Sequence, residues 1–200
     1  VSPGSGHPSH IEVQEEKRAV VLNFSETLAN GHESYLRVEN VKDVAGNTIL
    51  PTEIKFVYFH ESPVAFRDII ITEILADPAP QQGLPEAEFL ELYNRSANPI
   101  DLSGWVLSDQ STSAKFGGWI LLPDTYLIIT SSNAAEEYSP FGKMIPLAPF
   151  PSLNNAGDII TLKDDHGILI DSISYALSWY RETEKAEGGW SLELIDVQNI

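Results

Sequence analysis

Two hundred residues, 42% hydrophobic and 10% aromatic, suffice for one large globular domain or two small ones and exclude a chain too polar to bury a core. The formal charge is −17 and uneven: residues 68–200 hold twenty acidic against six basic side chains, about −14 in that part alone, which excludes nucleic acid and bare membrane surfaces as partners. The absence of cysteine excludes disulfides, thiolate zinc sites and a cysteine nucleophile, and no apolar run approaches the roughly 20 residues that span a bilayer.

Residues 1–10, Val-Ser-Pro-Gly-Ser-Gly-His-Pro-Ser-His, read as a flexible linker. They carry neither an initiator Met nor a basic run followed by an apolar one, so an export signal would lie upstream or have been removed. The first strand is expected where Val20, Leu22 and Phe24 alternate with Val21, Asn23 and Ser25, with two more at Tyr35–Val38 and Lys55–Phe59. Between them Asp43 can cap a turn and Gly46-Asn47 can supply positive φ. Asn23-Phe24-Ser25-Glu26, Leu28-Ala29-Asn30-Gly31, Tyr35 and the run Lys42-Asp43-Val44-Ala45-Gly46-Asn47 resemble the second half of a bacterial Ig-like domain of the surface-layer-protein type. Residues 11–60 are therefore expected to form a partial Ig-like domain, because such a sandwich needs about seven strands. Either the chain is a fragment of a longer protein or these strands complete another sheet.

Residues 61–67 form a Pro-containing connector, and a second module over 68–200 follows. Asp68–Leu75 is apolar on both faces, as a strand covered on both sides would be. In Glu88–Asn94, Leu90 and Leu92 fall on one face and Phe89, Glu91 and Tyr93 on the other. After a polar break come Leu102, Trp105 and Leu107, with Ser103-Gly104 as a bulge or tight bend, so the two runs are expected to form one β-hairpin. Trp119–Leu122 and Tyr126–Thr130 read as adjacent strands, and 131–152 as an irregular crossover with one helical turn at Ala134–Tyr138. Asp158–Leu162 and Gly167–Tyr175 read as a hairpin closed at Asp164–Gly167, and Trp190–Ile195 as a last strand after a mobile loop from Arg181 to Gly189.

Six segments in order resemble the lamin-tail domain, in its bacterial branch: Ile71–Ile74 with Asp77-Pro78, Glu88–Asn94, Asp101–Leu107, Asn155–Asp158, Asp171–Tyr175 and Trp190–Glu193. The resemblance implies an all-β chain with an Ig-like β-sandwich over 68–200. Leu90, Leu92, Leu102, Trp105 and Trp190 are expected in the core, and Glu73, Glu88, Glu91, Asn94, Asp101, Gly104, Asp158, Asp171 and Tyr175 as the rest of the structural signature. It further implies a non-catalytic adhesion, spacer or protein/glycan interaction module of a larger exported bacterial protein, secreted or on the cell surface. Its partners would be other domains of the same polypeptide, surface proteins or glycans. The alternative is an accessory targeting module beside a secreted nuclease or phosphatase.

Two carboxylates could pair for acid–base chemistry, yet no nucleophile, base and oxyanion donor cluster in the sequence, and carboxylates at strand ends serve to hold exposed backbone N–H groups. No catalytic, cofactor-binding or metal-binding residue is assigned. Asp171 shares a face with Ile173 and Tyr175, so if it points inward it must be hydrogen-bonded or neutral. Asp77, Glu86, Glu88 and Asp164-Asp165 could offer oxygen ligands to calcium, as in a calcium-stabilised carbohydrate-binding module, although no Asp-x-Asp-x-Asp-Gly loop is present. His7, His10, His32, His60 and His166 are isolated from one another. Phe141, Phe150, Trp179, Tyr180 and Trp190 cluster late; Trp179-Tyr180, with Glu182 and Glu184 nearby, suits a sugar platform or a protein-contact hot spot, and Phe141 joins them as a candidate contact. Asn23-Phe24-Ser25 and Asn94-Arg95-Ser96 match the short Asn-linked sequon.

Overall fold

The computed structural model describes residues 6–14 and 19–199. Residues 1–5 of the expected linker, and 15–18 of the expected partial domain, lie outside the described residues. The chain divides into two units, residues 1–60 and 61–200.

In the first unit β1 (His10–Val13) pairs antiparallel with β2 (Val20–Asn23), and β3 (Glu33–Val38) with β4 (Thr52–Val57). Strand β1 corrects the expected linker, which stops short of residue 9: Ser9 donates both its N–H and its hydroxyl to the Asn23 carbonyl, at 2.7 and 3.0 Å. Only Ile11 and Val13 are apolar in β1, too short a pattern to stand out without its partner. Register places Ile11 beside Leu22 and Val13 beside Val20 on one face, and Leu36 beside Ile54 on one face of the other ribbon. Asp43 caps its turn as expected, accepting the N–H groups of Ala45 and Asn47. Among the described residues of this unit the single buried one is Ser34.

The second unit is an Ig-like β-sandwich. Its strands are β5 (Ile69–Leu75), β6 (Phe89–Asn94), β7 (Ile100–Asp101), β8 (Val106–Ser108), β9 (Ser113–Lys115), β10 (Ile120–Leu121), β11 (Tyr126–Ser131), β12 (Met144–Leu147), β13 (Gly157–Lys163), β14 (Leu169–Ala176) and β15 (Leu192–Glu193), with one short helix, α1 (Ala135–Tyr138), between β11 and β12. One sheet has the order β12-β11-β6-β5-β15 and the other β14-β13-β8-β9, while β7 and β10 form a separate pair. Their inner faces share one core, with Ile69, Ile71, Leu90, Leu92, Leu127 and Ile129 from the first sheet and Leu107, Ile160, Leu162 and Ile170 from the second. Each such side chain contributes about 1.5–3 kcal/mol when fully buried. A smaller cluster of Leu75, Phe89, Ile128, Ala134 and Tyr138 lies beneath α1 on the outer face of the first sheet.

The expected hairpin between 88–94 and 100–109 does not form. Strand β6 pairs with β5 and β11, β8 with β9 and β13, and β7 with β10, so the two runs enter different sheets. Period-2 alternation tells which residues face the core but not which sheet delivers them. Leu90, Leu92, Leu102 and Trp105 are buried as expected. Leu102 to Trp105 is a tight turn, with Trp105 N–H donating to the Leu102 carbonyl at 3.0 Å and Gly104 at φ +81°, a value that favours glycine.

Two further expectations fail. Strands β10 and β11 are consecutive but not paired, because β10 turns to β7. Within the expected irregular crossover, Met144–Leu147 runs parallel to β11; α1 makes the return, and Pro146 hides the strand from a pattern reading.

Candidate functional site

The signature carboxylates serve separate structural tasks. Glu88 Oε2 accepts the Leu153 N–H at 3.1 Å, Asp101 Oδ1 the Ser103 N–H at 2.8 Å, and Asp158 Oδ1 the N–H of Ile159 at 2.7 Å. Asp171 is inward and buried, and its Oδ2 accepts the Ile71 N–H at 2.8 Å, which ties β14 to β5 across the sandwich. Burial raises its pKa, against hydrogen bonds from Ile71 and Ser172 and the charge of Arg67. Arg67 Nε stands 3.7 Å from Asp171 Oδ1, within ion-pair reach but too far for a hydrogen bond.

Glu73 and Glu91 lie directly opposite each other on β5 and β6, with Glu193 opposite Glu73 on β15. Burial raises the pKa of Glu73 and of Glu91, opposed by hydrogen bonds from Ser191 and Thr72 respectively. These two acids do not line the cleft described below. Asn94, fully buried, uses its whole amide: Nδ2 donates to the Asn98 and Leu121 carbonyls, each at 2.8 Å, and Oδ1 accepts the Ser96 N–H and hydroxyl. Buried Tyr175 donates its hydroxyl to the Asn154 carbonyl at 2.9 Å.

Trp190 departs from the expected core position. It is 38% exposed, and Lys185 Nζ lies 5.7 Å from its ring centroid. The two glycines before it pack closely against the 77–80 segment. A Cβ on Gly188 would fall 2.0 Å from the Ala79 carbonyl oxygen, and one on Gly189 2.0 Å from that of Pro80. Gly189 N–H also donates to the Asp77 carbonyl at 2.7 Å. The Arg181–Gly189 segment, expected to be a mobile loop, is thus pinned at this end and contains a 3-10 turn, Lys185–Glu187.

The expected Trp179–Tyr180–Phe141 group separates. Tyr180 is half-buried, its hydroxyl donating to the Trp190 carbonyl at 2.8 Å, and burial raises its pKa. Phe141 packs beside Tyr138 with ring centroids 6.1 Å apart. Trp179 alone enters a cleft of about 850 Å³. It stands on a 3-10 turn, Leu177–Tyr180, that follows β14 directly, and it is 48% exposed. The cleft is lined by Ile173 of β14, Leu192 and Leu194, with the core residues Ile71 and Ile74 of β5 behind them, and Arg181, Glu193 and Asp196 supply charge. Apolar residues beside an exposed Trp, with charged groups around it, are the composition of a contact patch. The sequence shows Trp190–Ile195 only as a last strand, with nothing in its alternation to place Leu192 and Leu194 in a cleft. The overlooked signal is the apolar run continuing past β15, where Ile195 is fully exposed.

Among the described residues, Asp164, Asp165 and His166 are the one group of three metal-capable side chains with ligand atoms close together. Asp164 Oδ1 there accepts the N–H groups of His166 and Ile168, and so caps the β13–β14 turn. Asp77 and Glu88 are near enough for the charge of Asp77 to add to the burial that raises Glu88. Among the described residues no helix is long and apolar enough to cross a membrane.

No curated protein matches the chain. The lamin tail domain model matches residues 62–176, more than half of the sequence and within the second unit. The chain belongs to the lamin tail domain family, whose members are Ig-like, non-catalytic domains suited to interaction.

Proposed function

We propose that this chain is an interaction module of a larger exported bacterial polypeptide, and that it docks a partner protein in the Trp179 cleft. The observation that carries the reading is a half-exposed Trp in a cleft that it lines together with apolar Ile173, Leu192 and Leu194. Large aromatic side chains of this kind dominate protein-contact energetics. Cell-surface placement, and a role in adhesion or spacing, follow from the resemblance of the sequence to secreted bacterial relatives. The first unit agrees with that role: Ile11, Val13, Val20 and Ile54 are each at least half exposed, and further Ig-like strands laid on them would give this unit a core. A charge of about −14 on residues 68–200 disfavours nucleic acid as the partner.

The test is selection of displayed random peptides on the full chain, followed by comparison with Trp179→Ala. Clones that bind wild type and lose at least tenfold on Trp179→Ala, at unchanged Tm, support the reading. Clones indifferent to Trp179→Ala overturn it, as does a glycan array on which Trp179→Ala abolishes sugar binding while no peptide is selected.

A further inference from the structure

The sandwich ends in four edge strands, and three are blunted in the ways that discourage pairing with another chain. Strand β15 has two residues, β9 has three and includes Lys115, and β12 has four and includes Pro146. Strand β14 differs. It runs for eight residues, Leu-Ile-Asp-Ser-Ile-Ser-Tyr-Ala, without Pro, Lys or Arg.

The direction of its main-chain groups follows from the ladder. Leu177 N–H donates to the Ala156 carbonyl at 3.1 Å, continuing the pairing with β13, so Tyr175, Ile173 and Asp171 also turn their main-chain groups toward β13. Ser172, Ser174 and Ala176 turn theirs outward. Ser172 N–H bonds to the Asp171 carboxylate. Among the described residues, the Ser172 carbonyl, both main-chain groups of Ser174 and the Ala176 N–H have no hydrogen-bond partner. Ser174 is exposed. The other half of the same edge already takes a main-chain partner, since Arg67 N–H donates to the Ile170 carbonyl at 2.7 Å.

This free half-edge borders the Trp179 cleft, because Ile173 belongs to β14 and lines the cleft. We propose that an extended segment of a partner protein, alternating apolar and basic residues, adds to β14 beside Ser172–Ala176 as a further strand. Main-chain hydrogen bonds to Ser172, Ser174 and Ala176 set its register, as in other strand additions. Its apolar side chains, on alternate positions, lie on the cleft side with Ile173, and its basic side chains lie on the solvent side with Ser172 and Ser174, where the net charge of about −14 on residues 68–200 favours them at long range. Two copies at −17 each repel, which argues against a second copy of this chain as occupant.

The inference rests on the cleft reading, and the experiment separates the two. The probe is a capped peptide alternating Val and Lys, compared with a block-scrambled peptide of the same composition, titrated against the full chain. The alternating peptide is expected to bind at least tenfold more tightly than the scrambled one and to slow amide exchange at Ser174 and Ala176 at least tenfold. Ser174→Pro, which removes an outward N–H at an edge where Pro is tolerated, should abolish binding at unchanged Tm. N-methylation of alternate peptide residues gives the same result without altering the protein. Binding that falls with Trp179→Ala, but leaves Ser174 and Ala176 unprotected and is unchanged in Ser174→Pro, overturns strand addition and leaves the cleft reading standing. No preference for the alternating peptide, together with no effect of Trp179→Ala, overturns both. A dimer in sedimentation that Ser174→Pro dissociates overturns the choice of occupant in favour of a second copy.

Discussion

The carboxylate of Asp171 and the backbone N–H of Ile71, a hundred positions apart, meet at 2.8 Å inside the sandwich. Strand β5 is paired by β15 only at Glu73 and Ile74, so the Ile71 N–H lies beyond that ladder and finds its acceptor on the opposite sheet. Asp171→Ala should cost about 1–3 kcal/mol, the penalty for leaving a buried donor unsatisfied. Urea unfolding measures the loss. Asp171→Asn, which keeps an acceptor oxygen, should recover more than half of it.

Asn94→Ala should cost at least as much. It strips a donor from each of two backbone carbonyls, those of Asn98 and Leu121, and removes the acceptor that holds Ser96. Asn94→Asp is no rescue, because a carboxylate cannot donate to those carbonyls. Both variants should lower the urea midpoint by similar amounts.

The row Glu91, Glu73, Glu193 sets a pH dependence whose sign can be worked out. Burial raises the pKa of Glu73 and Glu91 above the ordinary 4.5 in the folded state, so the native chain holds these protons more tightly than the unfolded one. Stability therefore rises as pH falls from neutral through the folded values, and the gain is complete below 4.5. Asp109 acts oppositely: burial raises it, but hydrogen bonds from Thr112 and Ser111 outweigh burial and hold it below 3.8, so its contribution is lost only in stronger acid. Tm should thus be higher at mildly acidic pH than at pH 7. Glu91→Gln, which still accepts from Thr72, should raise stability at pH 7 by roughly 0.2–1 kcal/mol through loss of a like-charge pair and should flatten the dependence.

Gly189→Ala places a methyl group against the Pro80 carbonyl and must displace the 181–190 segment. Limited proteolysis with trypsin should then cut at Arg181 and Lys185 several-fold faster than in wild type, while Ile173 and Tyr175, whose N–H groups face β13, keep their exchange protection.

Burial was legible in the sequence, whereas partnership was not. Leu90, Leu92, Leu102 and Trp105 announce themselves by alternation around the Asn94 and Gly104 breaks, and all four are core. That Leu92 and Leu107 come from facing sheets depends on long-range pairing that no local pattern encodes. Strand β12 was hidden because a parallel partner needs no turn signal and Pro146 speaks against a strand. Trp190 reads as core on hydrophobicity, but it follows Gly188 and Gly189, which pack against Ala79 and Pro80 far away in sequence, a contact that no local pattern shows. The Trp179 cleft shares that origin, since its lining comes from β5, β14 and β15.

The pairing of β5 with β15 has a consequence for synthesis. The family match ends at residue 176, yet the strand that completes one side of β5 begins at Leu192, more than a hundred residues after β5 itself. At roughly 5–20 residues per second, a growing chain carries a one-sided β5 for on the order of ten seconds after its neighbour β6 has been made. Throughout that interval Ile74 and its main-chain groups are available to any other extended segment near the ribosome. A polypeptide cut at the boundary of the family match would keep that opening permanently.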